Sequence, residues 1–352
     1  MSGMAPTDKG STARDAMGGW LRSSAGLLGQ LHWRQVVGGL SNITYVVTDE
    51  TGRRVVVRRP PLGELAGGAH DVLREARILA ALRPTAVPVP AVLAACQDPE
   101  VAGAPFYVME HAAGAVLESA ESARRFTLPQ RHRLGFELID VLSGLQAVDL
   151  DAVGLATMRR GTPYLERQIR RWNAQWTATA SRVVPAIDDV SSRLQKILPA
   201  LSPQPDCLVH GDFRFGNVMV TGEPEPGISA LLDWELATTG HPLTDLGFLG
   251  ARMQAPAGVL EPGPDPSAVD GFPSYGELAD RLGALAVHGG TVGRDELGDG
   301  ELVFESPDAP FQGSDPVVGH STSAANVASS STRRRCHATS ACTSPISPRA
   351  KR

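Results

Sequence analysis

Three side chains in the second half of the chain have the types and spacing that phosphoryl transfer requires. Asp212 ends a His-Gly-Asp run, Asn217 follows with four residues between, and Asp233 ends a short apolar segment. In such a reaction a carboxylate accepts the proton of the attacking hydroxyl, while an amide and a second carboxylate hold magnesium on the phosphates of ATP. We therefore assign Asp212 as the catalytic base and Asn217 and Asp233 as Mg²⁺ ligands.

The segment before Asp233 predicts how its carboxylate is presented. Residues 228–232 are Ile-Ser-Ala-Leu-Leu, which is typical of a short buried strand. A carboxylate at the carboxyl end of a strand projects into the cleft where α/β sites bind their ligands. Either piece alone would favour an ordinary turn or strand cap, but the order of Asp212 and Asp233, 21 residues apart, favours a joint site. We expect His210 to orient the loop and not to accept the proton.

The combined motif resembles the aminoglycoside phosphotransferase and choline-kinase-like family, whose fold is similar to that of protein kinases. That family carries H-G-D-x-x-x-x-N followed by a strand that ends in D-x-E. Gly211 stands where protein kinases have Arg, which points to the small-molecule branch. The resemblance covers roughly residues 34–280 and includes the later run Gly-His-Pro-Leu-Thr-Asp-Leu, in which Asp245 is implied to tie down the catalytic loop.

A small-residue turn near the amino terminus is the candidate cover for the phosphates. Residues 36–47 predict a strand, a turn and a second strand. Gly38 and Gly39 would let the backbone approach a phosphate, and Ser41 and Asn42 supply short hydrogen-bonding side chains. Without the downstream motif, the same residues are also typical of an ordinary hairpin.

The next strand, Arg-Arg-Val-Val-Val-Arg-Arg over residues 53–59, supplies the phosphate-binding cation that the resemblance implies. Protein kinases have lysine there, whereas arginine can still bind phosphate through two nitrogens. Side chains alternate faces along a strand, so only one arginine can face the nucleotide. We choose Arg58 and keep Arg59 as the alternative; a solvated strand end is the competing interpretation.

Two further elements complete the predicted nucleotide site. Residues 71–82 have a helical pattern, and Glu75 lies where the family's helix glutamate pairs with the strand cation. An exposed surface glutamate is the alternative. Residues 106–111 predict a buried strand that the resemblance identifies as the hinge, where the backbone around Glu110 would bind adenine; a plain core strand is compatible with this role.

The fold class that follows is α+β: a kinase-like, two-lobed fold with a small antiparallel β-sheet lobe and a mostly helical second lobe. Apolar stripes predict helices over about 130–148, 165–176 and 187–201. Trp172 and Trp176 are expected to pack in the core or against the other lobe; a ligand cage is the alternative. We divide the chain into a flexible amino terminus (1–30), the first lobe (31–110), the helical lobe with the catalytic loop (111–280) and a divergent tail (281–352).

The tail departs from the family, which normally continues with apolar, aromatic-rich helices. Residues 321–352 are rich in Ser, Thr and Ala and contain three consecutive arginines, which indicates disorder. We expect a frameshift near residues 281–285; a genuinely divergent tail is the competing account.

Composition excludes several other classes of function. The formal net charge is −5, so nothing favours nucleic acid or an anionic membrane surface as a partner. Four cysteines lack metal-ligand spacing, and no apolar run approaches the ~20 residues of a membrane span. We expect a cytoplasmic protein of undetermined oligomeric state.

The predicted activity is transfer of the γ-phosphoryl group of ATP to a hydroxyl of a small molecule. The Arg-Arg-Pro-Pro strand end and the Asp-Trp-Glu-Leu-Ala-Thr run resemble the subgroup that also occurs fused to acyl-CoA dehydrogenases. The resemblance implies an aminoglycoside-like or a hydroxyacyl-CoA-like acceptor. The alternative is a catalytically impaired nucleotide-binding protein, which could carry an acyl-CoA dehydrogenase name by association.

Overall fold

The computed structural model describes residues 9–36, 42–61, 71–200, 206–222, 224–256, 258 and 264–289. The expectations for Gly38, Gly39 and Ser41, and for the tail from residue 290 onward, lie outside these described residues.

A five-stranded antiparallel sheet forms the first lobe, with strand order β1-β2-β3-β5-β4. Its strands are β1 (His32–Val36), β2 (Ile43–Thr48), β3 (Arg54–Arg59), β4 (Val92–Cys96) and β5 (Phe106–Glu110). Alternation along β5 gives the sheet two buried faces. Phe106 and Val108 belong to one apolar cluster, and Tyr107 and Met109 belong to another.

Helices cover both faces of this sheet. The outer face packs against α1 (Lys9–Ser24) and α3 (Pro99–Ala102), and the inner face against α2 (Val72–Leu82). The side chain of Asp71 accepts a hydrogen bond from the backbone N–H of Arg74 at 2.9 Å, which caps α2 and fixes where it begins.

Helix α1 replaces the expected flexible segment over residues 9–24, the part of residues 1–30 in which the structure describes a helix. Met17 and Leu21 are fully buried, and the Trp20 ring meets Phe106 edge-on at 4.9 Å. The signal in the sequence was the i, i+3, i+4 spacing of Met17, Trp20 and Leu21, which makes one apolar stripe on an otherwise polar helix. Burial against the sheet, and not intrinsic propensity, stabilises such a helix.

The second lobe is mostly helical, with short strand pairs inserted. Its elements are β6 (Ala115–Val116), α4 (Ala120–Arg124), α5 (Leu128–Gln146), α6 (Tyr164–Thr179), α7 (Pro185–Ile197), β7 (Cys207–Val209), β8 (Val218–Val220), β9 (Ile228–Leu231), β10 (Thr238–Gly240), α8 (Leu243–Gln254) and α9 (Tyr275–Gly289). In α5, Leu134, Leu138, Leu142 and Leu145 are buried at helical spacing, as the sequence predicted.

One apolar core runs through both lobes. Val72 and Leu79 of α2 and Tyr107 of β5 belong to the same buried cluster as Leu138 of α5 and Trp234. The α+β, kinase-like arrangement expected from the sequence is therefore confirmed, and this shared core fixes the cleft between the lobes. None of the described helices is both long enough and apolar enough to cross a bilayer.

Helix α9 continues past the boundary that the sequence placed at residue 281. Leu278 and Leu282 are buried against the core. Arg281 donates to both carboxylate oxygens of Asp140 on α5, at 2.9 and 3.0 Å. The helix thus continues to Gly289, and its residues as far as Leu285 pack onto the helical lobe.

The hairpin of α6 and α7 contradicts the expectation that Trp172 packs in the core. Its side chain is 57% exposed, and Val190, Leu194 and Ile197 of α7 are also exposed. The two helices face each other through a hydrogen bond from Asn173 to Ser191 at 2.7 Å. An apolar stripe predicts a helix, but it does not specify what covers that stripe.

Candidate active site

Two strand pairs bring the predicted catalytic residues together. β7 pairs with β10 and leads into the loop that starts at His210, while β8 and β9 flank the approach to Asp233. The loop side chains Phe213 and Phe215 are fully buried and anchor it to the core. The carbonyl of Asn217 accepts a hydrogen bond from the N–H of Leu232 at 2.8 Å, so the catalytic loop and the segment carrying Asp233 are directly joined.

The buried carboxylate of Asp245 fixes the start of the catalytic loop through hydrogen bonds to its backbone. Asp245, at the start of α8, accepts hydrogen bonds from the backbone N–H groups of His210 at 2.7 Å and Gly211 at 2.9 Å. Burial raises the pKa of the Asp245 carboxyl, whereas the His210 ring and these two amides act to lower it. This is the role that the sequence resemblance implied.

Gly211 is required by two independent features of the loop. Its φ is +86°, in the left-handed region that side chains disfavour. A Cβ atom there would also lie 2.8 Å from the carbonyl oxygen of Leu236. The loop can therefore pack against the segment after Asp233 only with glycine at this position.

His210 is buried beside the loop and does not line the cleft. The residue is fully buried; its Nδ1 accepts from the N–H of Asp212 at 3.2 Å, so its Nε2 donates to the carbonyl of Leu232 at 2.9 Å. Both ring nitrogens are therefore engaged by hydrogen bonds to the protein backbone. Trp234 packs edge-on against it, with ring centroids 4.7 Å apart.

The Asp212 carboxylate is held by two neighbours. The amide nitrogen of Asn217 donates to its Oδ2 at 2.7 Å and to the Asp212 carbonyl at 2.8 Å. The guanidinium of Arg214 lies 3.3 Å from Oδ1. Since the Asn217 nitrogen is committed to Asp212, its amide oxygen is the atom left to coordinate a metal.

Asp233 adopts an unusual backbone conformation. Among the described residues it alone is a non-glycine with positive φ, at 66° with ψ 63°. Asp tolerates this region better than most side chains, and such strained positions cluster at functional sites. The conformation turns the chain sharply after β9 and leaves the Asp233 carboxylate at the cleft.

Of the two candidate arginines on β3, Arg58 faces the cleft. Its guanidinium lies 2.5 Å from Asp233, 3.1 Å from Glu235 and 3.1 Å from Glu75. Arg59 points to the opposite side of β3, where its Nε donates to the carbonyl of Pro60 at 3.1 Å. The alternation of β3 thus places Arg58, and not Arg59, at the predicted phosphate position.

Arg58 and the carboxyl groups around it shift one another's pKa values. Burial would lower the pKa of Arg58, but Glu75 and Asp233 together raise it well above its usual value. Burial raises the pKa of Glu75 to about 7, against the opposing effect of Arg58 and with Asp233 and Glu235 raising it further. One guanidinium therefore balances three carboxyl groups, and the cluster keeps an excess of negative charge that suits a divalent cation.

Asn42 and Glu235 meet across the cleft. Asn42 is buried, and its Nδ2 donates to Glu235 Oε2 at 3.1 Å. The sequence predicts Asn42 as a phosphate-binding residue and assigns no role to Glu235. The signal for Glu235 was the second acid of the Asp-Trp-Glu run, two residues beyond Asp233.

A cleft of about 990 Å³ lies between the sheet and the helical lobe. Glu110 is exposed at the end of β5, where the chain passes between lobes, and its backbone N–H donates to the carbonyl of Ala91 at 2.9 Å. The predicted site residues that line this cleft are Arg58, Glu75, Glu110, Asn217 and Asp233.

The donor set fits a magnesium ion that is shared with a substrate. Within the described ranges, no three His, Cys, Asp or Glu side chains are grouped to hold a metal. Asp233 and Asn217 nevertheless supply a carboxylate and an amide oxygen on the same cleft. Mg²⁺ is usually bound by one or two carboxylates together with substrate phosphates and water, so two protein ligands are sufficient.

Several proteins with similar sequences are named as acyl-CoA dehydrogenase family members and not as phosphotransferases. The chain is 36% identical over 216 residues to acyl-CoA dehydrogenase family member 11 of Rattus norvegicus, and this match covers 60% of the chain and 27% of that protein. It is 34% identical over 239 residues to acyl-CoA dehydrogenase family member 10 of Mus musculus, covering 67% of the chain and 22% of that protein. The chain thus spans about a quarter of the length of these relatives.

Solved structures and the family profile agree on the phosphotransferase fold. A crystal structure of a putative aminoglycoside phosphotransferase from Ralstonia eutropha is 31% identical with a TM-score of 0.62, and the match covers 77% of this chain and 80% of that one. The GDP complex of wild-type aminoglycoside 2'-phosphotransferase-IIIa has the same fold at 17% identity and a TM-score of 0.52, covering 66% and 76%. The profile of the phosphotransferase enzyme family (APH) matches residues 32–275, and the chain therefore belongs to that family.

Proposed function

We propose that the protein transfers the γ-phosphoryl group of ATP to a hydroxyl group of a small molecule. The observation that carries this proposal is the meeting of Asp212, Asn217, Asp233 and Arg58 through contacts of 2.5 to 2.8 Å that link the catalytic loop, the β9 end and β3. These are the side chains that in-line phosphoryl transfer requires, with a proton acceptor, metal ligands and a phosphate-binding cation.

The nucleotide side of the site is assigned to residues of both lobes. Arg58 binds the phosphates through its planar fork of donors, and Glu75 holds the guanidinium in place. Asn217 and Asp233 hold Mg²⁺, which neutralises charge on the transferred group when it is bound. Asp233 pairs with Arg58, so the proposed metal ligand and the proposed phosphate-binding cation lie in direct contact.

Asp212 acts on the acceptor. Its carboxylate takes the proton of the attacking hydroxyl as the phosphoryl group is transferred. The contacts from Asn217 and Arg214 fix the orientation of the two carboxylate oxygens before the substrate arrives. His210 is excluded from this role because both ring nitrogens are engaged inside the loop.

A hydroxyacyl-CoA-like compound is the first acceptor class to test. The relatives named as acyl-CoA dehydrogenase family members match this chain over roughly 22–27% of their length, so the matched part accompanies other sequence in those proteins. An aminoglycoside is the second class, supported by the similarity to a structure named as an aminoglycoside phosphotransferase.

The first experiment is calorimetric titration of the protein with Mg²⁺·ATP. We expect magnesium-dependent binding that Asp233→Asn weakens at least tenfold, because the charge is lost while Asn still tolerates positive φ. The matched control is Asp151→Asn, since Asp151 is exposed and pairs only with surface Arg159 among the described residues. Absence of Mg²⁺·ATP binding by the unaltered protein would refute the proposal.

The second experiment detects the phosphorylated acceptor by mass spectrometry. Asp212→Asn should reduce transfer about 10²- to 10⁴-fold while the dissociation constant for ATP changes little. Tight ATP binding with no transfer to any hydroxyacyl-CoA or aminoglycoside would favour the alternative, a nucleotide-binding protein without catalysis.

A further inference from the structure

Three elements of the first lobe converge on the short segment that follows Asp233. Asn42, next to β2, and Arg58, on β3, both donate to the same oxygen of Glu235, Oε2, at 3.1 Å. Arg74, on α2, donates to the carbonyl of Glu235 at 3.4 Å and to the carbonyl of Ala237. Residues 235–237, which we name the junction segment, therefore contact the first lobe through both side chain and backbone.

These contacts are shielded from solvent. Asn42 is 6% exposed, and the side chains of Arg58 and Glu235 are 12% and 19% exposed. A charged acceptor with two donors in such a site makes stronger contacts than a surface ion pair does. Burial lowers the pKa of Arg74, but its guanidinium stays charged at any physiological pH.

The position of each partner suggests what the contacts accomplish. Asn42 is the last residue of the turn predicted to cover the phosphates, and Glu235 is two residues beyond the predicted metal ligand. Arg74 is adjacent to Glu75, which pairs with Arg58. The junction segment thus connects the phosphate-covering strand pair, the phosphate-binding cation and the metal-binding end of β9.

We propose that Glu235 is a positioning residue that holds the first lobe closed over the bound nucleotide. It acts through Asn42 and Arg58, while Arg74 fixes the backbone of the junction segment. This inference rests on the proposed function, because it needs a nucleotide in the cleft. It assigns to Glu235 a contact between lobes and no direct contact with the transferred group.

The test is the rate at which a fluorescent ATP analogue leaves the site, measured by stopped flow with Mg²⁺ present. Glu235→Ala and Asn42→Ala should each speed release about tenfold, the effect of losing a hydrogen bond to a charged group. The double variant should release the analogue no faster than about twice the faster single variant, because both substitutions remove the same contact. Glu235→Gln, which keeps an acceptor of equal length, should restore part of the difference.

Two arginines of helix α2 provide a test and a control for the contact between Arg74 and the backbone of the junction segment. Arg74→Met should also speed release, whereas Arg77→Met on the same helix should not, since Arg77 is exposed and lies 3.8 Å from Asp71 at the surface. Circular dichroism melting of every variant checks that the fold is retained.

The outcomes separate this inference from the proposed function. If the unaltered protein does not bind the analogue, the proposed function fails and the inference fails with it. If it binds and the variants release it at the unaltered rate, only the inference fails. Strictly multiplicative effects of Glu235→Ala and Asn42→Ala, with a weakened magnesium requirement in Glu235→Ala, would instead make Glu235 a metal ligand and overturn the positioning role.

Discussion

The catalytic loop and the Arg58 cluster are stabilised in different ways, although they face the same cleft. The loop is tied to its own lobe by backbone hydrogen bonds, with Asp245 accepting from two consecutive amides and His210 bonded at both ring nitrogens. Arg58 is held by ion pairs to three carboxylates, of which two, Asp233 and Glu235, belong to the other lobe.

This difference separates a preorganised half of the site from an adaptable half. Backbone contacts inside one lobe do not need to change when substrates bind, so Asp212 and Asn217 are positioned in advance. The contacts of Arg58 cross between lobes, and one of them uses the proposed metal ligand Asp233. We therefore expect substitutions in the loop to affect stability and turnover together, and substitutions around Arg58 to affect mainly nucleotide affinity.

The largest effect is expected from Asp245→Ala. The substitution leaves two buried backbone N–H groups without an acceptor, which should reduce the free energy of unfolding by about 3 kcal/mol and the melting temperature by roughly 6–12 °C. Turnover should fall as well, because the loop loses its support. Thermal melting measures the change, and Asp151→Ala is the exposed control. A stable Asp245→Ala protein would remove the basis for calling the loop preorganised.

Gly211→Ala tests the same half of the site through the backbone. Positive φ and the close approach to Leu236 should together cost about 2 kcal/mol. Gly144→Ala is the matched control, because it lies within α5 with no atom within 4 Å of an added Cβ. That control should gain up to about 1 kcal/mol from helix propensity, as measured by chemical denaturation. Equal effects of the two substitutions would contradict the role of Gly211.

Arg58→Lys tests the adaptable half. Lysine keeps the charge but cannot contact several carboxylates or phosphates through a planar fork, so Mg²⁺·ATP affinity should fall about tenfold. The melting temperature should change by only a few degrees. Calorimetry on Arg58→Lys and on the neighbouring Arg59→Lys gives the comparison, since Arg59 lies on the other face of β3. A larger loss of affinity in Arg59→Lys would reverse the assignment.

The smallest effect is a pH dependence that originates at Glu75. Its pKa is raised to about 7 from an ordinary value of 4.5, so the folded protein binds the extra proton between these values. The resulting contribution to stability is present at low pH and is lost as the pH rises through about 7. Nucleotide affinity should instead increase as the pH rises, because only ionised Glu75 pairs with Arg58.

Glu75→Gln provides the control for this pH profile. Affinity for Mg²⁺·ATP should rise a few-fold between pH 6 and 8 in the unaltered protein, and the rise should be absent in Glu75→Gln. An identical slope in both proteins would assign the titration to another group.

Several parts of the molecule were predictable because they depend on local spacing. The strands of the first lobe follow from β-branched runs, and helix α5 follows from its apolar stripe. The connection of Asp212, Asn217 and Asp233 could be inferred from order and separation along the chain. The sequence favoured Arg58 but had to keep Arg59 as an alternative, since alternation shows that the two side chains face opposite ways without showing which one faces inward.

The sequence by itself determined the family, the two-lobed fold and the identity of the candidate catalytic residues, because a loop motif and strand patterns are properties of neighbouring residues. Only the tertiary structure decided that α1 and the α9 residues as far as Leu285 pack onto the core, that Trp172 is exposed and that Glu235 joins the lobes. Each of these outcomes depends on a partner far away in the chain. Asn42 and Glu235, for example, are 193 residues apart and meet only because the sheet and the catalytic segment close on one cleft.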